Sequence, residues 1–340
     1  MGRPAPLTPP RYRASHSRVR ILVTGGAGFV GRALARALQE RGHLVRTLDR
    51  SPGAELRATG VEVLVGDATD PATLRAAIAG EDAVVHLAGV RRSSDPHEFM
   101  RVNALGTRAA LEACLAAAPG LSRFVLAGSR AAVAPSADAV DETAPFGPAE
   151  PYGASKAEAE RIALSFADRL PVAVARPPRI MGPGDLENLL FFRIARRGLA
   201  IGFSGAHRPL SWIDVDDCAR GFALLCERPE AVGEAFFLAS PEPTSTEGLM
   251  IEAARALGVR TRRLTIPAPL LWAAASTTDA LSRLTGRRLP LNRKLAAQVL
   301  APGWLCDPGK ARTRLGFEAS TPLAASIERA ARWYVDHGFL

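Results

Sequence analysis

A short strand pattern, Arg20-Ile21-Leu22-Val23, runs without a linker into Thr24-Gly25-Gly26-Ala27-Gly28-Phe29-Val30-Gly31, and a helical pattern begins at Arg32. Few local patterns restrict a fold more. A buried strand that turns directly into a helix needs residues without a Cβ, both for the tight turn and for close packing of helix on sheet. The same turn leaves unpaired amides at the positive end of a helix dipole, a seat for a pyrophosphate. The next β-branched run ends on Asp49. A carboxylate there accepts hydrogen bonds from adenosine ribose hydroxyls and repels a 2'-phosphate, which predicts NAD rather than NADP. Arg50 follows immediately and keeps a phosphate-binding alternative open.

The alternation continues. Strands are predicted at 19–24, 43–49, 61–65, 83–87, 124–127 and 172–175, with alanine- and leucine-rich helices between them at 32–39, 72–79, 102–117 and 154–167. Strands with little in-and-out alternation, separated by helices, indicate a parallel sheet covered on both faces. The expected fold class is therefore α/β, a Rossmann-type doubly wound sheet with a smaller C-terminal α/β lobe. After Arg176 the pattern shortens and prolines punctuate it, with helices expected at 216–226, 245–257, 267–284 and 322–337. The organisation predicted is a proline- and arginine-rich disordered arm (1–18), an NAD-binding domain (19–176) and a substrate-binding lobe (177–340) interleaved with the nucleotide core.

Pro151-Tyr152-Gly153-Ala154-Ser155-Lys156 stands at a helix start. Residues four apart share a helical face. A phenol is a poor base at neutral pH, and an ammonium that favours phenolate eases its ionisation. Tyr152 thus reads as acid/base and Lys156 as its tuner and a ligand for the nicotinamide ribose.

With these motifs in place, the chain resembles the extended short-chain dehydrogenase/reductase family of nucleotide-sugar epimerases, dehydratases and 3β-hydroxysteroid dehydrogenases, from about residue 20 to the C-terminus. The resemblance implies cofactor contacts from Gly25, Gly28, Phe29, Val30, Gly31, Asp49, Arg50, Asp67, Ala68, Leu87, Ala88, Gly89, Asn103, Tyr152, Lys156 and Pro178. It implies catalytic roles for Ser129, Tyr152 and Lys156, with Asn103 of the Asn-x-x-Gly-Thr helix in support. The serine segment departs from the family pattern: Gly128 stands in place of the first serine and Val133-Ala134 in place of Tyr-Gly. A register anchored on the missing tyrosine puts Arg130, not Ser129, at the catalytic position. Substrate contacts are implied for Val90, Arg130, Arg179 and Met181.

Arg176-Pro177-Pro178-Arg179-Ile180-Met181-Gly182-Pro183-Gly184-Asp185 and the tail from Trp304 to Tyr334 are similar to the hydroxysteroid and sterol dehydrogenase branch. The reading that follows is a dehydrogenase or ketone reductase acting on a secondary alcohol of an apolar, steroid-like or lipid-derived molecule. A nucleotide-sugar epimerase or dehydratase with tightly held NAD stays open, as does a non-catalytic dinucleotide-binding protein. The resemblance also implies a homodimer, often through the helices after Asn103 and Tyr152.

A net charge of +9 raises the question of polyanion binding, but only three of the 43 basic residues are lysines and no basic stripe alternates with aromatics. No nucleic-acid partner is expected. The six histidines form no ligand spacing, so no metal is expected. Cys114, Cys218, Cys226 and Cys306 read as reduced structural thiols of a cytoplasmic protein. An apolar helix beginning at Pro267 is too short to span a bilayer; it reads as a packed helix, with a pocket lining or peripheral membrane contact as alternatives.

Overall fold

The computed structural model describes residues 18–51, 53, 56, 59–93, 95–205, 208–285 and 292–340, so the expected arm lies outside them except for Arg18. Apolar runs rich in valine and leucine form the strands β1 (Arg20–Thr24), β2 (Leu44–Asp49), β3 (Glu62–Val65), β4 (Ala83–His86) and β5 (Arg123–Ala127). The chain continues through β6 (Ser136–Val140), β7 (Val172–Arg176), β8 (Arg179–Met181), β9 (Leu199–Phe203) and β10 (Trp212–Asp214). It ends its strands with β11 (Ala235–Phe237), β12 (Arg262–Ile266) and β13 (Trp304–Cys306). Seven of these make one parallel sheet in the order β11-β7-β5-β4-β1-β2-β3. Three two-stranded parallel pairs, β10-β8, β12-β9 and β13-β6, lie outside it.

The helices in chain order are α1 (Phe29–Glu40), α2 (Pro71–Ile78), α3 (Pro96–Phe99), α4 (Gly106–Ala117), α5 (Pro151–Leu164) and α6 (Leu189–Arg196). They continue with α7 (Val215–Glu227), α8 (Thr246–Ala256), α9 (Ala268–Thr285), α10 (Arg293–Val299), α11 (Gly309–Leu315) and α12 (Leu323–Asp336). Both faces of the central strands of the large sheet are dry. Ile21 and Val23 of β1 face one core with Leu34 and Leu38 of α1 and Phe222 of α7. Leu22, between them in sequence, faces the other core with Leu74 of α2, Leu111 of α4 and Ile162 of α5. Successive side chains point to opposite faces, so burial of both removes the polar alternation of a half-exposed strand. Truncating one such leucine to alanine costs about 2–5 kcal/mol.

Residues beyond Arg176 complete this layer: α7 packs into the core shared with α1, and β11 adds the outer strand beside β7. A separate core, built on Met181, Phe192, Trp212, Leu249 and Tyr334, holds the C-terminal elements together. Asp214, at the end of β10, fastens it. Its carboxylate caps α7 through the Asp216 amide and accepts from Ser326 at 2.6 Å and Arg329 at 2.7 Å on α12.

The four cysteines are free and buried, and burial pushes the thiols of Cys114, Cys226 and Cys306 up to about 12. Among the described residues no helix is long and apolar enough to cross a membrane. α9 nevertheless leaves Leu270, Trp272, Leu281 and Leu284 exposed.

The strand order reverses between β1 and β4. In an open α/β sheet, that reversal puts a crevice at the carboxyl ends of the two strands.

Candidate active site

The glycine loop leaves the carboxyl end of β1 at this crevice. Gly25 takes φ +75°, and its amide donates to the Leu48 carbonyl at 2.8 Å. A Cβ on Gly31 would fall 2.4 Å from the Gly25 carbonyl oxygen and 2.7 Å from Gly26 Cα, so the first turn of α1 lies directly on the loop. α1 begins at Gly28 with no side-chain cap and no acidic residue in its first turn. Its leading amides are therefore left for an outside acceptor. The cradle fits the pyrophosphate of a dinucleotide.

Asp49 ties into the loop: one carboxylate oxygen accepts from the Ala27 amide at 3.1 Å and the other from the Ser51 amide at 3.3 Å. Each oxygen keeps lone pairs for a ribose hydroxyl. Arg50 and Asp67 are exposed, and Asp67 accepts from the Thr69 amide at 2.8 Å. The Ala68 side chain is packed into the core beneath α2. Phe29, Val30, Leu87, Ala88 and Pro178 are half-buried, and the Gly28 and Gly89 backbones are exposed.

Asn103 sits in a turn of π-helix, Met100–Leu105, that runs into α4. Such turns widen a helix locally and recur at functional sites. Its Oδ1 accepts from the Val90 amide at 2.8 Å, while Nδ2 donates to the Val90 carbonyl at 3.0 Å and to Ser155 Oγ at 2.9 Å. One amide side chain thus fixes the loop after β4 to α5, the helix that carries Tyr152 and Lys156.

Pro151 opens α5, and Tyr152 and Lys156 occupy its first and second turns. Lys156 Nζ lies 5.9 Å from the centre of the Tyr152 ring and donates to the Ala127 carbonyl, at the end of β5, at 2.8 Å. Burial lowers the Lys156 ammonium to about 8, with Arg91 adding to the shift. Burial raises the Tyr152 phenol; Arg91 and a hydrogen bond with Ser129 pull it back down. Ser129 also caps a short 3-10 turn, its Oγ accepting from the Ala131 amide at 3.1 Å. His86 lies beneath, bonded to Thr24 Oγ1 at 2.9 Å, and burial followed by Lys156 holds its imidazole down at about 3. It is neutral at physiological pH.

Ser129, Tyr152, Lys156, Asn103 and Val90 are therefore brought together beside the glycine loop. Two expected substrate contacts, Arg130 and Met181, are not: both side chains are buried away from the site. Arg130 is 2% exposed and turns away from Tyr152: its Nε donates to the Leu305 carbonyl at 2.8 Å and its Nη1 to Val133 at 3.0 Å. Of the two registers open for this segment, the geometry puts Ser129 at the tyrosine. Met181 is 1% exposed inside the C-terminal core with Phe192 and Trp212, so its side chain offers no surface to a ligand. Arg179 is half-buried over Phe191 and donates to Asn188 Oδ1 at 2.5 Å.

Arg91 escaped the sequence reading. Its guanidinium carbon lies 4.4 Å from the Tyr152 ring centre, stacked on the ring. The arginine pair that follows the β4 turn was the only local signal, and nothing in it points to a tyrosine 61 positions later.

Residues 21–239 match the NAD dependent epimerase/dehydratase family. The chain belongs to this family. Family membership and its relatives make it an NAD-dependent enzyme of the extended short-chain dehydrogenase/reductase type. A ceramide reductase from Caulobacter vibrioides is 32% identical over 330 residues, covering 96% of this chain and 98% of the relative. A 2-alkyl-3-oxoalkanoate reductase from Stenotrophomonas maltophilia is 33% identical over 332 residues, covering 92% and 98%. A 3 beta-hydroxysteroid dehydrogenase/Delta 5→4-isomerase from Mycobacterium tuberculosis is 30% identical, covering 93% and 90%. Among solved structures, gox2253 superposes with a TM-score of 0.80 at 28% identity, covering 94% of this chain and 99% of that one. The dTDP-glucose 4,6-dehydratase of Streptomyces venezuelae shares the fold at a TM-score of 0.75 and 23% identity, covering 94% and 98%.

Proposed function

We propose that this family member is an NAD-linked reductase or dehydrogenase that interconverts a ketone and a secondary alcohol on an apolar, lipid-derived or steroid-like molecule. The observation that carries the reading is the convergence of Tyr152, Ser129 and Lys156 at the carboxyl ends of β4 and β5, beside the Gly25–Gly31 cradle. When bound, the nicotinamide supplies or accepts a hydride at the reacting carbon. The chain's own groups handle the oxygen. Tyr152 gives its phenolic proton to the oxygen in reduction and takes it back in oxidation. Ser129 holds that oxygen through its hydroxyl, and the Lys156 cation favours the phenolate left behind.

The cofactor would be held by the amides at the start of α1, by Asp49 at the adenosine ribose and by Lys156 at the second ribose. The free lone pairs of the Asp49 carboxylate support NAD over NADP. The relatives named as reductases of ceramide and of 2-alkyl-3-oxoalkanoates, and as a steroid dehydrogenase, support a lipid-like substrate.

The test follows reduced-nicotinamide absorbance while long-chain 3-oxo compounds and oxosteroids are supplied to the wild type and to Tyr152→Phe. The wild type is expected to turn over at least one of them, and the variant to lose about 10²–10⁴-fold in kcat. Interconversion of a nucleotide sugar with no net change in the cofactor, and no ketone reduced, would overturn the reading.

A further inference from the structure

The positive charge of the chain is concentrated in one stretch. Between Arg260 and Lys294 the sequence carries eight arginines and lysines against a single acid, Asp279, a net of +7 in a chain whose total is +9. Within that stretch stands α9, the apolar helix expected to pack as an ordinary element of the C-terminal lobe. It does not pack in that way. Among its described side chains Ala275 alone is buried, whereas α8, eleven residues long, buries Leu249, Met250, Ala253 and Ala254.

The face that α9 turns outward is apolar. Leu270, Ala274, Thr277, Leu281 and Leu284 fall on one stripe at spacings of four and three, and all five are exposed, Leu270 by 60% and Leu284 by 85%. The Thr277 hydroxyl donates to the Ala273 carbonyl at 2.9 Å, so the one polar side chain of the stripe has its donor satisfied inside the helix. Asp279 is on the opposite face, where it accepts from the Arg293 amide at the start of α10 at 3.2 Å. The strand that leads into the helix, β12, exposes Arg262, Arg263 and Leu264. Arg263 meets Glu247 Oε1 at 3.7 Å, a loose exposed pair that gives way to another anion at little cost.

We infer that α9 and β12 form a docking surface for an anionic lipid bilayer, the helix lying along the membrane with Leu270, Leu281 and Leu284 among the acyl chains and the arginines at the headgroup phosphates. The charge decides the occupant. In a two-fold dimer through this face the patch would meet itself, cations against cations, and a nucleic acid would leave the leucine stripe in water. From Leu270 to Leu284 the stripe runs about 21 Å at 1.5 Å per residue, too short to cross a bilayer and long enough to lie on one. The surface stands whether or not the enzyme reduces ketones; where it does, the surface brings the site to the phase in which an apolar substrate dissolves.

The test sediments the full chain with vesicles of phosphatidylcholine alone and of an equal mixture of phosphatidylcholine and phosphatidylglycerol, at low and at high salt. An arginine at an anionic surface strengthens binding about fivefold, and a leucine buried among acyl chains about tenfold or more. The wild type is expected to bind the mixed vesicles at least about tenfold more tightly than the neutral ones, and high salt should weaken that binding. Arg262→Gln/Arg263→Gln should weaken it about 10–30-fold. Leu281→Gln/Leu284→Gln, which leaves every charge in place, should weaken it about tenfold or more.

No binding to the mixed vesicles, equal binding to both kinds, or a leucine variant that binds as the wild type does would overturn the inference. So would a dimer in solution, seen by analytical ultracentrifugation, that Leu281→Gln/Leu284→Gln dissociates, because a second copy then covers the face. Reduction of water-soluble ketones by the same proteins decides the reductase reading separately. All four substituted side chains are exposed, and thermal melts of the variants check that the fold is intact.

Discussion

A charge pair inside the protein ties α5, the helix that carries Tyr152 and Lys156, to the sheet. Glu160, two turns beyond Tyr152 on α5, is fully buried, and Arg176, at the end of β7, is nearly so, with side-chain exposures of 0% and 5%. Arg176 Nε donates to Glu160 Oε1 at 2.9 Å and Nη2 donates to the same oxygen at 2.5 Å, while Nη1 reaches the Glu142 carbonyl at 3.1 Å. The guanidinium also lies between the Phe146 and Phe237 rings, at 5.5 and 5.4 Å. Replacing Arg176 leaves the Glu160 carboxylate desolvated without its cation, and replacing Glu160 leaves Arg176 without its ion-pair partner, at a cost of about 3–5 kcal/mol. For a chain of 340 residues each kcal/mol moves Tm by roughly 1.4 °C, so Arg176→Met or Glu160→Leu should each lower Tm by roughly 4–7 °C.

The double variant Arg176→Met/Glu160→Leu removes both charges and keeps the volume, and should lie within about 1 kcal/mol of the wild type. Thermal and urea unfolding followed by circular dichroism give the four corners of the cycle. Because the pair ties α5 to the sheet, the single variants should also lose kcat through a displaced Tyr152, and the double should regain most of it. Single variants within about 1 kcal/mol of the wild type, or a double no better than the worse single, would refute the reasoning.

Two further predictions concern the lysine and the glycine cradle. In the proposed mechanism Lys156 acts as a cation, and burial brings its ammonium down to about 8, so kcat/KM for ketone reduction is expected to hold below that pH and fall as pH rises through it. Lys156→Arg, whose guanidinium keeps its charge, should carry the alkaline limb at least one unit higher, and an unmoved limb in the pH profile would remove Lys156 from that role. Gly31→Ala puts a methyl group against backbone that cannot swing aside, and should cost about 1–3 kcal/mol and at least tenfold in NADH affinity, read by fluorescence titration with the fold intact by circular dichroism. Unchanged affinity would mean that the loop is not the pyrophosphate seat.

What the sequence determined by itself is whatever rests on neighbours along the chain. Six strands of the large sheet and the helices between them follow from apolar period and glycine turns, and each appears within a residue or a few of its expected place. The Gly25–Gly31 turn and the Tyr152/Lys156 spacing belong to the same class, because backbone permissiveness and a shared helical face are properties of consecutive residues. β11 was invisible: three residues, Ala235–Phe237, carry no period of their own and become a strand because β7 offers an edge.

The choice between Ser129 and Arg130 also waited for tertiary structure. Only the folded chain shows that the Leu305 carbonyl draws Arg130 away, 175 positions along the sequence. The same holds for Met181, which the family resemblance assigns to a substrate surface and packing assigns to a core. Arg91 on Tyr152, Asn103 between Val90 and Ser155, and Glu160 on Arg176 join residues from different elements. Those contacts depend on which helix crosses which strand and at what depth, which is decided by the burial of whole faces rather than by any local run of residues.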